Sequence, residues 1–393
     1  WLEKKPLLGT CIVNDQLKIG LPENQPAAVF KITLLIEKQS ISYNRPLIYK
    51  WNDPVKGEQK KNWIITPKVT ANLNKKVIIF SDESVQKIDV KLKSHSGMQK
   101  GDITIKTPKG WDIKGPKKYQ IEKSDDELTV SFELKPTKSA ISGQLKLLIN
   151  GLESHSFNKI EYDHITPQTW FPRAEIQLVK LNLEIPPRKI GYLMGAGDLV
   201  GDYLVNLGYE LDILNSENID QQQLNNYDVI ITGVRFFNVD DRAPFIAPLL
   251  LEYTNQGGNL IIQYNTSYRL KTKDFFPYPL KISRDRVTEE NAKVTFLKKQ
   301  HKVLNKPNEI TEKDFDFWVQ ERGLYFPNMW SKEYEPILSW HDKNEEAKDG
   351  ALLIAPYGKG YYTYTGISFF RQLPKGVSGA FKLLVNLISL KNE

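Results

Sequence analysis

Cysteine is nearly absent from this chain of 393 residues: Cys11 stands alone. A lone thiol excludes an internal disulfide framework and any cysteine-rich metal site. Histidine is scarce too. His95, His155, His164, His301 and His341 are scattered singly, and none forms the close pair that local zinc sites use. No metal and no cofactor are therefore expected. Apolar residues nowhere run to the roughly 18 consecutive positions of a membrane-crossing helix, so no transmembrane segment is expected. A basic-then-apolar leader is missing as well. The first residue is Trp1, and the chain is expected to be a piece cut from a longer protein.

Hydrophobic residues make up 40% and charged residues 26%, the balance of a folded chain with sizeable cores. At roughly 100–200 residues per domain, two or three domains are expected. The net charge of +7 is unevenly placed. Residues 1–187 hold 29 Lys and Arg against 21 Asp and Glu, whereas residues 188–393 hold 25 against 26. A basic half suggests a nucleic-acid partner. Here, however, the lysines alternate with apolar residues, as in Val90-Lys91-Leu92-Lys93 and Ile103-Thr104-Ile105-Lys106. That pattern is the solvated face of strands, and no nucleic-acid partner is expected.

Two styles of sequence meet near residue 187. Residues 1–66 read as a small β unit, with a strand at 29–36 and a polar loop over Trp51–Glu58. Residues 67–187 read as an antiparallel β-sandwich, with strands at 77–80, 88–92, 102–105, 128–134 and 144–149 and turns between them. Trp111, after the turn Pro108-Lys109-Gly110, is expected to pack in its core. Pro186-Pro187 forms a stiff linker. Over 188–393, buried strands at 189–194, 210–214, 228–232 and 259–264 alternate with helices, one of them over 244–256. That alternation predicts a doubly wound parallel sheet. A hairpin at 351–365 and a helix over 377–390 close the chain. Residues 265–291 and 298–334 read as long loops.

Several segments of this second half form a recognisable series. They are Lys189–Asp198, Thr232-Gly233-Val234-Arg235, Gln263-Tyr264-Asn265-Thr266, Ile282–Thr288, Trp318–Pro327 and Gly366–Pro374. Together they resemble the C-terminal region of large bacterial PIG-L (LmbE-like) family deacetylases. Residues 43–58 and 162–172 fit the same proteins more loosely. The resemblance implies an architecture. A zinc-dependent N-acetyl-sugar deacetylase domain comes first, as an N-terminal partner. An Ig-like β-sandwich of the α-galactosidase-associated type follows. A flavodoxin-like α/β domain, similar to class I glutamine amidotransferases, comes last. The His-Pro-Asp-Asp and His-x-x-His metal motifs of the deacetylase domain are absent from this sequence, so no catalytic residue carries over. The resemblance further implies a periplasmic or extracellular location and a supporting role for a hydrolase.

The residues themselves leave the site open. An amidotransferase needs a cysteine on a sharp elbow after the strand at 259–263. Tyr264-Asn265-Thr266-Ser267 stands there instead. Thr266 or Ser267 would need His301 or His341 as a base. Gly195-Ala196-Gly197-Asp198-Leu199-Val200-Gly201 follows a strand, as a dinucleotide site would. Its spacing is one residue too long, and Asp198 reads more simply as an N-cap. Ligands of open α/β sheets bind at the C-terminal ends of the strands. Asp198, Arg235, Tyr264 and Asn265 fall at those ends. Arg284, Arg286, Gln320, Glu321, Arg322, Tyr325 and Arg371 fall in connections that can cover them. The eleven are the candidate ligand-binding residues, for a glycan or another small polar ligand. Arg235, Glu321 and Arg371 are expected to approach one another. A structural ion-pair network, an enzyme using this cluster, and a purely architectural or oligomerising module are the competing readings.

Overall fold

The computed structural model describes residues 10–21 and 23–391. The first nine residues of the expected 1–66 unit and the last two of the 188–393 domain lie outside them. Strands take 40% of the chain and helices 15%, so the fold is β-rich. Two compact units form. One holds the chain up to Lys76, then Val85–Ser139 and Gln144–Ile176. The other holds Val77–Ser84, Ala140–Gly143 and everything from Gln177. The boundaries at 66 and 187 thus do not coincide with the compact units. Val77–Phe80 reads from sequence as a sandwich strand, yet it belongs to the second unit, where it pairs in parallel with Gln177–Lys180. All four of its residues are buried, the mark of a strand covered on both faces.

In the first unit, Val69–Leu73, Gln86–Ser94, Glu127–Pro136 and Trp111–Lys114 form one antiparallel sheet. Lys118–Ile121, Gln99–Lys106 and Gly143–Ile149 pair antiparallel in another. Burial alternates along Gln86–Ser94, with Ile88, Val90 and Leu92 fully inside. The lysines between them face solvent, as the period-two pattern requires. Trp111 is buried. The stretch 51–58, read as a loop, is instead the closed end of a hairpin between Ile48–Asp53 and Gly57–Asn62. Asp53 Oδ1 accepts the backbone N–H groups of Val55 and Lys56, both at 2.9 Å. A carboxylate that closes its own turn this way makes a polar run compatible with a hairpin. A second hairpin joins Val29–Ile36 to Gln39–Pro46, and every residue of both strands is exposed.

The second unit is built on a seven-stranded sheet. Its strands are β1 (Lys189–Leu193), β2 (Glu210–Leu214), β3 (Val229–Thr232), β4 (Asn259–Gln263), then β5 (Glu335–Pro336), β6 (Leu352–Tyr357) and β7 (Gly360–Thr365). Their order is β2-β1-β3-β4-β7-β6-β5. β2, β1, β3, β4 and β7 run parallel, while β6 and β5 extend the sheet antiparallel. β3 and β4 are buried throughout. Helices α1 (Val200–Asn206) and α3 (Ser378–Ile388) share a core with Ile190, Tyr192, Ile231 and Ile261. Helix α2 (Ala243–Asn255) packs in another with Leu193, Ile230, Leu260 and Ile262. Alternate residues of each strand feed the two cores, so helices cover both faces of the sheet.

The long loops of the sequence reading are partly ordered strand. Leu280–Val287 pairs antiparallel with Gly323–Trp330, with register shifts at Lys281/Ile282, Ile282/Asp285 and Asp285/Arg286. Those shifts break the alternation that would have marked a strand.

The glycines after β1 have a packing explanation. A Cβ on Gly195 would lie 2.1 Å from the Val234 carbonyl oxygen, because Ala196 N–H donates to that oxygen at 2.8 Å. Gly197 has φ +95°. Gly201, inside α1, would place a Cβ no nearer than 3.8 Å to anything. The two ends of the motif should therefore respond oppositely. Gly195→Ala is expected to destabilise the second unit by about 1–3 kcal/mol through overpacking. Gly201→Ala is expected to stabilise it by about 0.5–1 kcal/mol through helix propensity. Thermal unfolding of the two variants checks the pair.

Candidate functional site

The C-terminal ends of the parallel strands carry a polar scaffold. Tyr192 Oη donates to Asp198 Oδ1 at 2.6 Å, and Gln263 Nε2 donates to Tyr192 Oη at 2.9 Å. Asp198 Oδ1 also accepts Val200 N–H at 3.0 Å, and its Oδ2 accepts Val234 N–H at 3.1 Å. The N-cap of α1 is Leu199, so Asp198 is not the cap residue that its position suggested. It takes the helix's first N–H from one residue further back and ties in the turn after β3. Burial and the neighbouring Asp198 carboxylate push the Tyr192 phenol well above its usual range. It stays a neutral donor.

The elbow after β4 is sealed at Asn265 and Thr266, while Ser267 beside them is half-buried, with no hydrogen bond to His301 or His341 among the described residues. Asn265 is 0% exposed. Its Oδ1 accepts Phe237 N–H at 2.9 Å, and its Nδ2 donates to the Gln263 carbonyl at 3.0 Å. Asn238 accepts Thr266 N–H at 2.8 Å and donates to the Tyr268 carbonyl at 3.0 Å. The Thr266 hydroxyl donates to that same carbonyl at 2.8 Å. His301 caps a short turn through Val303 N–H, and His341 lies on the surface beside the Asp342 carbonyl. No hydrogen bond joins either of them to Thr266 among the described residues.

Three of the eleven candidates are thus committed to the protein itself. Asp198 and Asn265 are two of them. Arg322 is the third, and it is a correction to its placement over the strand edge. It is buried, with Nη1 donating to the Phe315 carbonyl at 2.5 Å and Nη2 to the Ala292 carbonyl at 2.7 Å. Phe315, Trp318 and Trp340 surround its guanidinium at 5.6–6.0 Å. Burial pulls its pKa down to about 10, so it remains a cation held by carbonyls and ring faces.

The other eight meet around a small apolar cluster of Val234, Tyr264 and Leu324, with Tyr325 and Phe370 packed against it. The rings of Tyr264 and Tyr325 lie parallel within 7°, centroids 5.9 Å apart, and Phe370 tilts against Tyr264 at 5.5 Å. Arg371 lies over Phe370 at 4.8 Å, Arg286 over Tyr325 at 5.9 Å and Arg284 over Tyr268 at 5.7 Å. Glu321, 7% exposed, accepts from Arg371 Nε at 2.9 Å. Gln320 Oε1 accepts from Arg371 Nη1 at 2.7 Å. Arg235 is half-buried and caps the short helix Phe236–Val239 with φ +62°. Its Nε is buried with no acceptor among the described residues. Burial pushes the Tyr264 phenol up, Arg235 and Arg371 pull it down, and Glu321 pushes it up again. Glu321 and Arg371 form an ion pair at 2.9 Å, and Arg235 joins the same cluster through its N–H on the Tyr264 carbonyl at 2.8 Å.

Sequence reading missed the side chains that build this arrangement. Gln372 is fully buried, and its Nε2 donates to the Val319 and Glu321 carbonyls at 2.8 and 3.1 Å. It clamps Gln320 and Glu321 beside Arg371. Gln263, Asn238 and Tyr268 were also missed. A polar residue ending an otherwise apolar run, such as Gln263 after Leu260-Ile261-Ile262, was the available signal.

No protein-family model matches the chain, and no curated protein matches it. Among solved structures it is similar to a FixG-related protein from Vibrio parahaemolyticus. That likeness has 9% identity and a TM-score of 0.20, over 29% of this chain and 98% of that one. It is also similar to a family 123 glycoside hydrolase from Clostridium perfringens, described for glycolipid glycan hydrolysis. There the identity is 11% and the TM-score 0.15, over 50% of this chain and 34% of that one. Likenesses this faint carry no argument for fold or activity.

The Glu321–Arg371 pair has one buried and one accessible partner, with side chains 9% and 30% exposed. Losing the carboxylate leaves Arg371 able to rehydrate, so the cost should fall below the roughly 3–5 kcal/mol of a fully buried pair. Glu321→Gln is expected to lower stability by about 1–2 kcal/mol, read by chemical denaturation. A loss above that range would mean that the guanidinium is sealed in.

Proposed function

We propose that this chain is a non-catalytic accessory region of a PIG-L-like N-acetyl-sugar deacetylase, working outside the cytoplasm and binding carbohydrate. Its second unit reads best as a flavodoxin-like, amidotransferase-like domain that has lost its chemistry. The strand order supports this: the parallel strands run second, first, third, fourth, fifth, the order of that doubly wound class. The first unit reads as an Ig-like sandwich on its two antiparallel sheets. Support for the resemblance comes from placement. The segments after β1, β3, β4 and β7, together with Ile282–Thr288 and Gln320–Tyr325, supply the side chains at one edge of the sheet.

The observation that carries the non-catalytic reading is the elbow. A nucleophile must be exposed on its turn and paired with a base. Asn265 and Thr266 are buried, and their polar atoms bond to the main chain. The carbohydrate reading rests on aromatic rings beside hydrogen-bonding side chains, the combination that holds a sugar's apolar face and its hydroxyls. Tyr268 and Tyr325 remain accessible there.

An architectural role is the second reading, and one observation favours it. The hairpin 29–46 puts Phe30, Ile32, Leu34, Ile36, Ile41 and Tyr43 on one face, all exposed. A two-stranded hairpin is marginal in water without a covering layer.

Two assays test the primary reading together. Ammonia release from glutamine and acetate release from N-acetylchitotetraose should stay at background, while a glycan array should show retained binding. Turnover that disappears in Thr266→Ala would overturn the reading. A blank array with a dimeric mass in solution would favour the architectural alternative.

A further inference from the structure

The exposed charged side chains of the strand-edge face are mainly guanidinium groups. The face carries four guanidinium groups, from Arg235, Arg284, Arg286 and Arg371. Glu321 is already bonded to Arg371, and so is the Gln320 carbonyl oxygen. Arg235, Arg284 and Arg286 form no ion pair among the described residues. Burial and a hydrogen bond to the neighbouring Tyr268 hydroxyl push the Tyr325 phenol up, against the pull of Arg286 and Arg284. Asp285, half-buried between Arg284 and Arg286 in the chain, pairs with neither of them among the described residues, so three guanidinium groups stand without a carboxylate partner. The backbone is also held in an unusual state there. Arg235, Gln320 and Tyr325 are non-glycine residues with φ of 62°, 65° and 53°, a left-handed conformation whose strain gathers at ligand sites.

We propose that this face binds an acidic saccharide, with its anionic groups on the arginines and its ring against the exposed Tyr268. The inference rests on the carbohydrate-binding reading above and narrows it to sugars bearing carboxylate or sulfate. Guanidinium forks match such oxyanions two bonds at a time. Arg284 and Arg286 already lie over the tyrosine rings, so their planes are oriented before the ligand arrives. A neutral sugar would leave these donors without the charged acceptors that they fit.

The test must separate this face from diffuse attraction to a basic chain. Binding of tetragalacturonate, a sulfated tetrasaccharide and N-acetylchitotetraose is measured by calorimetry at physiological salt, using the full chain. The wild type is compared with Arg284→Ala/Arg286→Ala, Arg284→Lys/Arg286→Lys and a control, Lys109→Ala/Lys117→Ala. The control removes equal charge from exposed positions of the first unit. An acidic probe should bind the wild type and bind the double alanine variant about tenfold more weakly or worse, the loss of one strong contact. The lysine variant should fall between, and the control should match the wild type. Thermal unfolding confirms that the folds are intact, and the lysine variant keeps the test decisive if the alanine variant is unstable. Equal weakening in the control overturns the proposal, because the attraction is then diffuse. Chitotetraose bound as well as the acidic probes, and unaffected by the arginine changes, overturns it while the carbohydrate reading stands. No binding of any probe overturns both.

Discussion

The carboxylate of Asp198 is the contact on which the strand edge depends. Three donors converge on it: the Tyr192 hydroxyl from β1, the first amide of α1 and the Val234 amide after β3. Gln263 brings β4 into the same network through the Tyr192 hydroxyl and the Thr232 carbonyl, at 2.9 and 3.3 Å. Hydrogen bonds to an ionised acceptor are roughly twice as strong as neutral ones. The position of Val234 then fixes Arg235, whose N–H donates to the Tyr264 carbonyl at 2.8 Å. From there the geometry passes to the Tyr264 and Tyr325 rings and to Arg371. The polar groups nearest the sheet therefore act as scaffold, and the arginines and tyrosines of the edge lie one layer further out.

The same layering shows in the turns that follow the parallel strands. In a doubly wound sheet the turns after the strands are where ligands meet the protein. Here several of those turns are tied down by buried amide side chains. Asn238 and Asn265 hold the segment after β4 from both sides. Gln372 holds the segment bearing Gln320 and Glu321. Beyond these ties, the accessible side chains of the edge include Arg284, Arg286 and Tyr268.

Much of this was legible in the sequence. The switch from period-two strands to continuous apolar strands marked the parallel sheet, since strands buried on both faces carry no alternation. The meeting of Glu321 with Arg371 followed from loop positions. Other features left no local signal. Val77–Phe80 looks like any short apolar strand, and its place in the second unit depends on a partner one hundred residues later in the chain. The strand Leu280–Val287 was hidden by its bulges. Arg322 follows Glu321 directly, and neighbouring side chains diverge. One meets Arg371 at the edge, while the other enters the aromatic core of Phe315, Trp318 and Trp340. Nothing in the one-dimensional pattern separates these two fates.

Because the scaffold hangs on one carboxylate, its amide partners report on it most directly. Asn at position 198 keeps the shape but replaces one acceptor by a donor facing donors, which costs about 2–3 kcal/mol for bonds to a charged group. Hydrogen exchange of the Val200 and Val234 amides, compared between wild type and Asp198→Asn, reads that loss site by site. Exchange faster by about 30- to 150-fold is expected at the amide left facing the new NH2 group, with a smaller change at the other and β6 and α3 unchanged. Unaltered protection at Val200 and Val234 would contradict the dependence of the strand edge on Asp198.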